Sequence, residues 1–180
     1  MNSDNVTIYC MKTIPLTKGF FTKVDDEDYE RLAVHRWQAH PRCGYPNKIG
    51  VTRGFKKDHK SLTITMAREI VNAPKGKYVD HINGDTLDNR KCNLRICSNA
   101  ENVRNRGSNK NNTSGYKGVN LEKKNGRWTT RIQVNQKMIH VGCFATKVEA
   151  AIAYDKAAIK YFGQFARLNF PNADYAFNWK

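Results

Sequence analysis

The chain has 180 residues, with 31 Lys and Arg against 16 Asp and Glu, a formal net charge of +15. That length holds one or two small domains, and a charge so far from neutral points to a polyanionic partner. Hydrophobic residues at 39% suffice for a packed core and exclude full disorder, while apolar runs of about five residues exclude an integral membrane protein, whose spanning helix needs roughly 20.

The first residues, MNSDNVTIYCMK, show no basic stretch followed by an apolar one. No signal peptide is visible, and an intracellular, non-secreted protein is expected. Residues 6–24 read as two short strands around Pro15. Asp25 to Glu30 then place acid on a helix start, where the macrodipole favours it, with Leu32, Ala33 and Trp37 as its apolar face. That acidity argues against a DNA-facing role. Residues 44–53 and 61–66 read as a hairpin. The basic loop between them, 53–60, is either a solvated tip or a groove probe. Residues 66–72 read as a short helix ended before Pro74.

Residues 77–82 and 94–97 read as strands flanking a polar loop, and Ser98-Asn99-Ala100-Glu101 as a capping box opening a helix with Asn102 in its first turn. The stretch 105–115 has no apolar residue and suits an irregular linker. It is a solvated tether, or one whose Arg104, Arg106 and Lys110 also run along phosphates. Residues 1–106 carry 19 basic and 12 acidic residues, and 107–180 carry 12 and 4. Both parts are basic, as expected of two modules that each touch a polyanion.

Beyond the linker, 117–122, 128–134 and 138–144 read as strands, with turns at 124–126 and at Asn135-Gln136. Thr146 and Glu149 form a capping box. Val148, Ala151, Ile152, Ala158, Ile159 and Phe162 then recur near helical spacing, and Gly163 stops the helix. The expected module is a three-stranded antiparallel sheet with a helix on one face and the other face free. Alternation puts Arg131 and Gln133 on the free face and Ile132 and Val134 beneath the helix. The five cysteines, Cys10, Cys43, Cys92, Cys97 and Cys143, are odd in number and scattered, which fits reduced thiols.

The chemistry-bearing segment is 78–106. If its two strands pair and the helix packs back, the Asp80 carboxylate and the Asn102 amide oxygen can meet. Two hard oxygens with phosphate and water suit Mg²⁺. His81 alternates to the other side of the strand and can take a proton from water without competing for the metal. A base and a cation together are what phosphodiester hydrolysis requires.

The set His81, Asn93 and Asn102, within Asp80-His81-Ile82-Asn83-Gly84-Asp85 and Asp88-Asn89-Arg90 through Asn93-Leu94-Arg95, resembles the HNH homing endonucleases of ββα-metal fold over about thirty residues. The wider stretch 14–106 is similar to their phage and intron-encoded members. The resemblance implies His81 as general base, Asp80 and Asn102 as metal ligands, and Asn93 as the residue that orients loop and base. Asn rather than His at the last position implies Mg²⁺ or Mn²⁺ over zinc. No CxxC pair flanks the motif, so no structural zinc is expected.

The second module resembles the plant ethylene-response-factor (APETALA-type) domain, over about sixty residues. The resemblance rests on Ser114-Gly115-Tyr116-Lys117-Gly118-Val119, Gly142-Cys143-Phe144, the run from Glu149 to Ala158, and Leu168-Asn169-Phe170-Pro171. It implies a sheet laid into the major groove of double-stranded DNA. The plant domains carry Arg where Lys117 stands, further arginines at Asn120 and Glu122, and Trp at His140, so the plant target sequence does not transfer. Candidates on the sheet are Lys117, Arg127, Trp128, Arg131, Gln133, Lys137 and His140, with Arg104 and Arg106 before it. Trp128 reads equally well as core.

The expected fold class is therefore α+β. An HNH module spans 1–106 (motif core 77–106), a basic polar linker 107–115, and a DNA-binding module 116–172. The expected function is an HNH-type DNA endonuclease using Mg²⁺ or Mn²⁺ in a bacterial or phage-infected cell, with no membrane partner. The expected state is a monomer or weak dimer; one site per chain favours a nick from a monomer, and a double-strand break needs a dimer or two sequential events. The alternative is a DNA-binding regulator whose HNH-like module is catalytically silent.

Overall fold

The computed structural model describes residues 11–42, 45–108, 111–173 and 175. The expected strand residues 6–10, Cys10, Cys43 and Lys110 lie outside the described residues. The chain is a mixed α+β protein with antiparallel sheets and few helices. It divides into two compact units, Met1–Asn99 and Ala100–Lys180. The division falls inside the helix Asn99–Arg104 that carries Asn102, after its first residue. Among the described residues no helix is long and apolar enough to cross a membrane.

In the first unit, β1 (Met11–Pro15) pairs antiparallel with β2 (Phe21–Asp25). The acidic run then forms α1 (Asp26–Ala33). Only Leu32 of its expected apolar face behaves as such within the helix. Ala33 is exposed. Trp37 lies beyond the helix end, 1% exposed, its Nε1 donating 2.9 Å to the Leu32 carbonyl. The helix is too short for position 37 to share its face, so the indole reaches the core from the next segment.

A three-stranded sheet follows, ordered β3 (Gln38–Arg42), β4 (Tyr45–Lys57), β5 (Lys60–Thr65). The expected basic loop over 53–60 is instead a continuation of two long strands. Lys57 pairs with Lys60. Asp58 (φ 48°) and His59 (φ 60°) make a two-residue turn whose left-handed backbone matches strand twist. Arg53 of β4 reaches α2 (Met66–Ile70), where Glu69 accepts from its Nε and Nη2, each at 2.8 Å. Ile14, Val24, Leu32, Trp37, Val51, Met66, Ile70 and Leu94 bury together as the core. Leu94 belongs to β7 (Leu94–Cys97), which pairs with β6 (Tyr78–His81) in the register Asp80↔Arg95 and His81↔Leu94. The core thus anchors the strand opposite the candidate site.

In the second unit, α3 (Asn99–Arg104) precedes the sheet β8 (Val119–Glu122), β9 (Arg127–Val134), β10 (Lys137–Phe144), with β9 central, and then α4 (Lys147–Phe162). The Thr146 side chain accepts from the Glu149 N–H at 3.2 Å and Glu149 accepts from the Thr146 N–H at 3.1 Å, the reciprocal cap expected from sequence. Gly163 ends the helix at φ 52°. Ile132, Tyr154, Ala158 and Phe162 form one buried cluster between sheet and helix, and Val119, Ala150 and Ala151 another. Gly118 (φ +76°) lies beneath Tyr154, and a Cβ there would sit 2.1 Å from its ring. Gly118→Ala is therefore expected to destabilise the second unit by about 3 kcal/mol, the upper end of overpacking, since the backbone is strained as well. Denaturant unfolding checks this.

Candidate functional site

Asp80 and His81 are successive residues of β6, so their side chains leave opposite faces of the strand. Asp80 is 6% exposed, and its Oδ2 accepts from Arg95 Nε (2.9 Å) and Nη2 (2.6 Å) directly across the pair. The paired guanidinium compensates the cost of burying that carboxylate. Arg95→Met leaves the charge without its guanidinium and is expected to cost about 3 kcal/mol of stability, as for other broken buried pairs. A lowered melting temperature is the check.

His81 is half-buried, and its Nε2 lies 3.1 Å from Asn89 Oδ1. The surrounding network assigns the tautomer. Thr22 Oγ1 donates to the Leu87 carbonyl at 2.8 Å, so it must accept from Asn89 Nδ2, also at 2.8 Å. That orientation turns the Asn89 oxygen towards the imidazole, which then carries its proton on Nε2 and its lone pair on Nδ1. Burial holds the imidazole pKa below its usual value. The Asn89 bond opposes that shift, and the Arg42 charge adds to it. The ring is therefore neutral at pH 7, the form that accepts a proton.

The loop from Ile82 to Asn93 is held at several points. Asn93, buried, accepts from the Asn83 N–H at 3.0 Å and donates through Nδ2 to the Asp88 carbonyl at 2.7 Å. It clamps the loop across its width. The direct partner of His81 is Asn89. Asp88, also buried, pairs with Arg90 at 2.7 Å through each oxygen, which holds its carboxyl below the usual carboxylate range. The loop is docked on β2 by Lys23 N–H to the Leu87 carbonyl (2.8 Å) and Asn89 N–H to the Lys23 carbonyl (2.9 Å). The Lys91 N–H donates to Asp25 Oδ2 at 2.7 Å. The acid that begins α1 thus braces the loop.

Asn89, Thr22 and Arg95 were not among the residues expected at the site. Asn89 and Arg95 stand inside the motif itself, and alternation across the β6–β7 pair would have placed Arg95 opposite Asp80. Thr22 has no local signal, since it meets Asn89 across 67 residues of chain.

Asn102 lies on α3, partly exposed, in the second unit. Asp80 offers a carboxylate oxygen from the first unit and Asn102 an amide oxygen from the second, each a hard donor of the type Mg²⁺ or Mn²⁺ takes. Among the described residues no three His, Cys, Asp or Glu side chains gather as a metal site.

On the second unit's sheet, Arg131 and Gln133 are exposed on the face opposite Ile132. His140 pairs with Arg131, and Arg127 pairs with Glu122. A register shift between His140 and Gly142 brings Cys143 Sγ within 3.6 Å of His140 Nε2. Three expected DNA contacts lie elsewhere. Trp128 packs against Val119, Ala150 and Ala151, because it alternates with Arg127 and so faces the helix. Lys137 pairs with Val134 and shares that helix-side face, at its exposed end. Lys117 turns its ammonium to the carbonyls of Arg104 and Arg106, each at 2.6 Å. Burial pushes that amine down to about 8, the Arg167 charge acts likewise, and Asp155 opposes both. Arg104 lies over the Phe162 ring, 5.0 Å from its centroid, while Arg106 is exposed.

Comparison with known proteins places both halves. The family described as HNH endonuclease matches residues 72–104. APETALA2-like protein 2 of Oryza sativa subsp. indica is 43% identical over 63 residues, 35% of this chain and 14% of the relative. An AP2-like ethylene-responsive transcription factor of Arabidopsis thaliana, At1g16060, is 47% identical over 64 residues, 34% of this chain and 19% of the relative. Ethylene-responsive transcription factor WRI1 of the same plant is 44% identical over 64 residues, 34% of this chain and 15% of the relative. The chain thus spans less than a fifth of each of these relatives. It combines an HNH module with an AP2/ERF-like DNA-binding domain.

Proposed function

We propose that the chain is a metal-dependent DNA endonuclease whose HNH module hydrolyses a phosphodiester bond and whose AP2/ERF-like sheet holds the duplex. The observation that carries this reading is His81. Its pKa is lowered by burial, Asn89 (oriented by Thr22) faces its Nε2, and it ends the strand that carries a buried carboxylate and leads into a loop clamped by Asn93.

In this reading His81 Nδ1 takes the proton of the attacking water, while Asn89 fixes the ring and carries part of the charge that forms on it. Asn93 keeps the loop at its working width. Asp80 and Asn102 would hold a Mg²⁺ or Mn²⁺ ion, which when bound would supply positive charge to the scissile phosphate and the leaving oxygen. Arg95 holds the Asp80 carboxylate in place through its two bonds to Oδ2. Arg131, Gln133, Arg127 and His140 face DNA from the sheet, and Arg106 lies along phosphates. One active-site set per chain gives a nick from a monomer.

The second reading, a DNA-binding regulator with a silent HNH module, draws on the Asp80–Arg95 pair, which competes with a metal for Oδ2, and on relatives named as transcription factors. Asp80→Ala and Asn102→Ala separate the two. On the endonuclease reading each abolishes Mg²⁺-dependent cleavage of a plasmid library and retains the gel shift. If the unmodified protein shifts DNA and never cuts it with Mg²⁺ or Mn²⁺, the regulator reading holds.

A further inference from the structure

Lys117 stands in the Tyr116-Lys117-Gly118 turn that opens the AP2/ERF-like domain. Its side chain turns to the backbone that ends the Asn102 helix. Nζ donates to the carbonyls of Arg104 and Arg106 at 2.6 Å each. Arg104 is the last residue of α3, and carbonyls at a helix end have no N–H of their own helix to accept from. A cation there also meets the negative end of the helix dipole. Lys117 is therefore the cap of the helix that carries Asn102, two residues earlier.

The cap is rigidly backed. The Lys117 N–H donates to Asn169 Oδ1 at 2.7 Å, and Asn169 Nδ2 returns a bond to the Lys117 carbonyl at 3.2 Å. Asn169 is held by Asp155, fully buried on α4, through its N–H (2.8 Å) and Nδ2 (3.1 Å). Asp155 also accepts from the Phe170 N–H (2.9 Å) and the Tyr175 hydroxyl (2.6 Å). Arg104 over Phe162 supplies a second tie between α3 and α4. An unbroken set of bonds runs from the core of the DNA-binding domain to the end of the Asn102 helix.

We propose that Lys117 is a positioning residue for the nuclease site, anchoring the Asn102 helix to the AP2/ERF-like domain so that this domain sets the place of a metal ligand. This rests on the reading of Asn102 as that ligand. A lysine at this turn exchanges a DNA contact for an intramolecular one.

The test uses the full chain with Lys117→Met, Asn102→Ala and the double variant. Mn²⁺ affinity is read by electron paramagnetic resonance, DNA affinity by gel shift in EDTA, and amide hydrogen exchange over 102–107. Lys117→Met is expected to weaken Mn²⁺ binding about tenfold, the lower end for residues that orient a ligand. It is expected to speed exchange over 102–107 and leave DNA affinity unchanged. In the Asn102→Ala background it should add no further Mn²⁺ loss, because the residue it positions is gone.

If Asn102→Ala weakens Mn²⁺ binding and Lys117→Met does not, or if the two losses multiply, the positioning role is wrong. A loss of DNA affinity with Mn²⁺ binding intact returns Lys117 to the phosphates and also overturns it. If Asn102→Ala leaves Mn²⁺ binding untouched, the metal-ligand reading falls first, in a recognisably different pattern, and the inference falls with it. Should Lys117→Met not fold, Arg104→Met, which cuts the second tie at a partly exposed residue, is read the same way. A smaller loss in the same direction supports the proposal, and no change overturns it.

Discussion

His81→Ala is expected to lower the cleavage rate by about 10²- to 10⁴-fold, the contribution of a positioned general base, with DNA affinity unchanged. On the proposed reading the base acts in its neutral form. Burial keeps its pKa below the usual 6.5, so at pH 7 it is already poised. The wild-type kcat/KM should therefore climb with pH only below about 6.5 and run level above it, and His81→Ala should lose that acid limb. The same shift has a stability consequence of fixed sign. Because the folded-state pKa lies below that of the unfolded chain, the unfolded state binds the proton more readily. The contribution of His81 is complete above about pH 6.5 and is lost as pH falls below it. Asn89→Ala removes the partner that opposes the shift, so its acid limb should move to still lower pH. A variant at His81 that cuts at the wild-type rate would end the assignment.

Salt should act on affinity at least as strongly as that substitution acts on rate. A chain of net charge +15 with basic residues in both parts binds a duplex largely by releasing its counterions. With six to ten phosphates neutralised, affinity should fall about 10³- to 10⁵-fold between 50 and 200 mM salt. The slope of log affinity against log salt counts those phosphates. Arg131→Ala then sorts that residue. If it contacts phosphate, the slope drops by about one. If it reads a base edge, the slope holds and discrimination falls by about 1–3 kcal/mol at one position of the site. A slope near zero in the wild-type protein would remove the electrostatic account of the charge.

Much of this was legible in sequence where local chemistry decides local structure. Thr146 and Glu149 form the reciprocal cap, Gly163 takes the left-handed φ, and Asn135-Gln136 is a two-residue turn with both φ positive. The alternation Arg131-Ile132-Gln133 is the alternation of exposed and buried. Three kinds of feature were not legible. β3 was missed because Gln38-Ala39-His40-Pro41-Arg42 sends little but Ala39 inward. It tolerates Pro41 as an edge strand, beside a register shift. The turn at Asp58-His59 was hidden by a run of lysines that read as loop, although the strands continue through them. Long-range polar partnerships left no trace. Asn89 was one Asn among several until Thr22 fixed its orientation, and Lys117 looked like a DNA contact because its bonds go to backbone atoms, which sequence does not show. The site's residue types are local information, and their partners are tertiary.

The most direct test of the endonuclease reading is supercoiled plasmid carrying a broad insert library, incubated with the unmodified protein in Mg²⁺ and in EDTA, with binding followed in parallel by gel shift. Relaxed circles in Mg²⁺ alone, with the shift present under both conditions, is the result expected of a monomeric metal-dependent nickase, and linear product would indicate paired cuts. Plasmid that shifts fully yet stays supercoiled in Mg²⁺ and in Mn²⁺, or that is cut equally in EDTA, would contradict it.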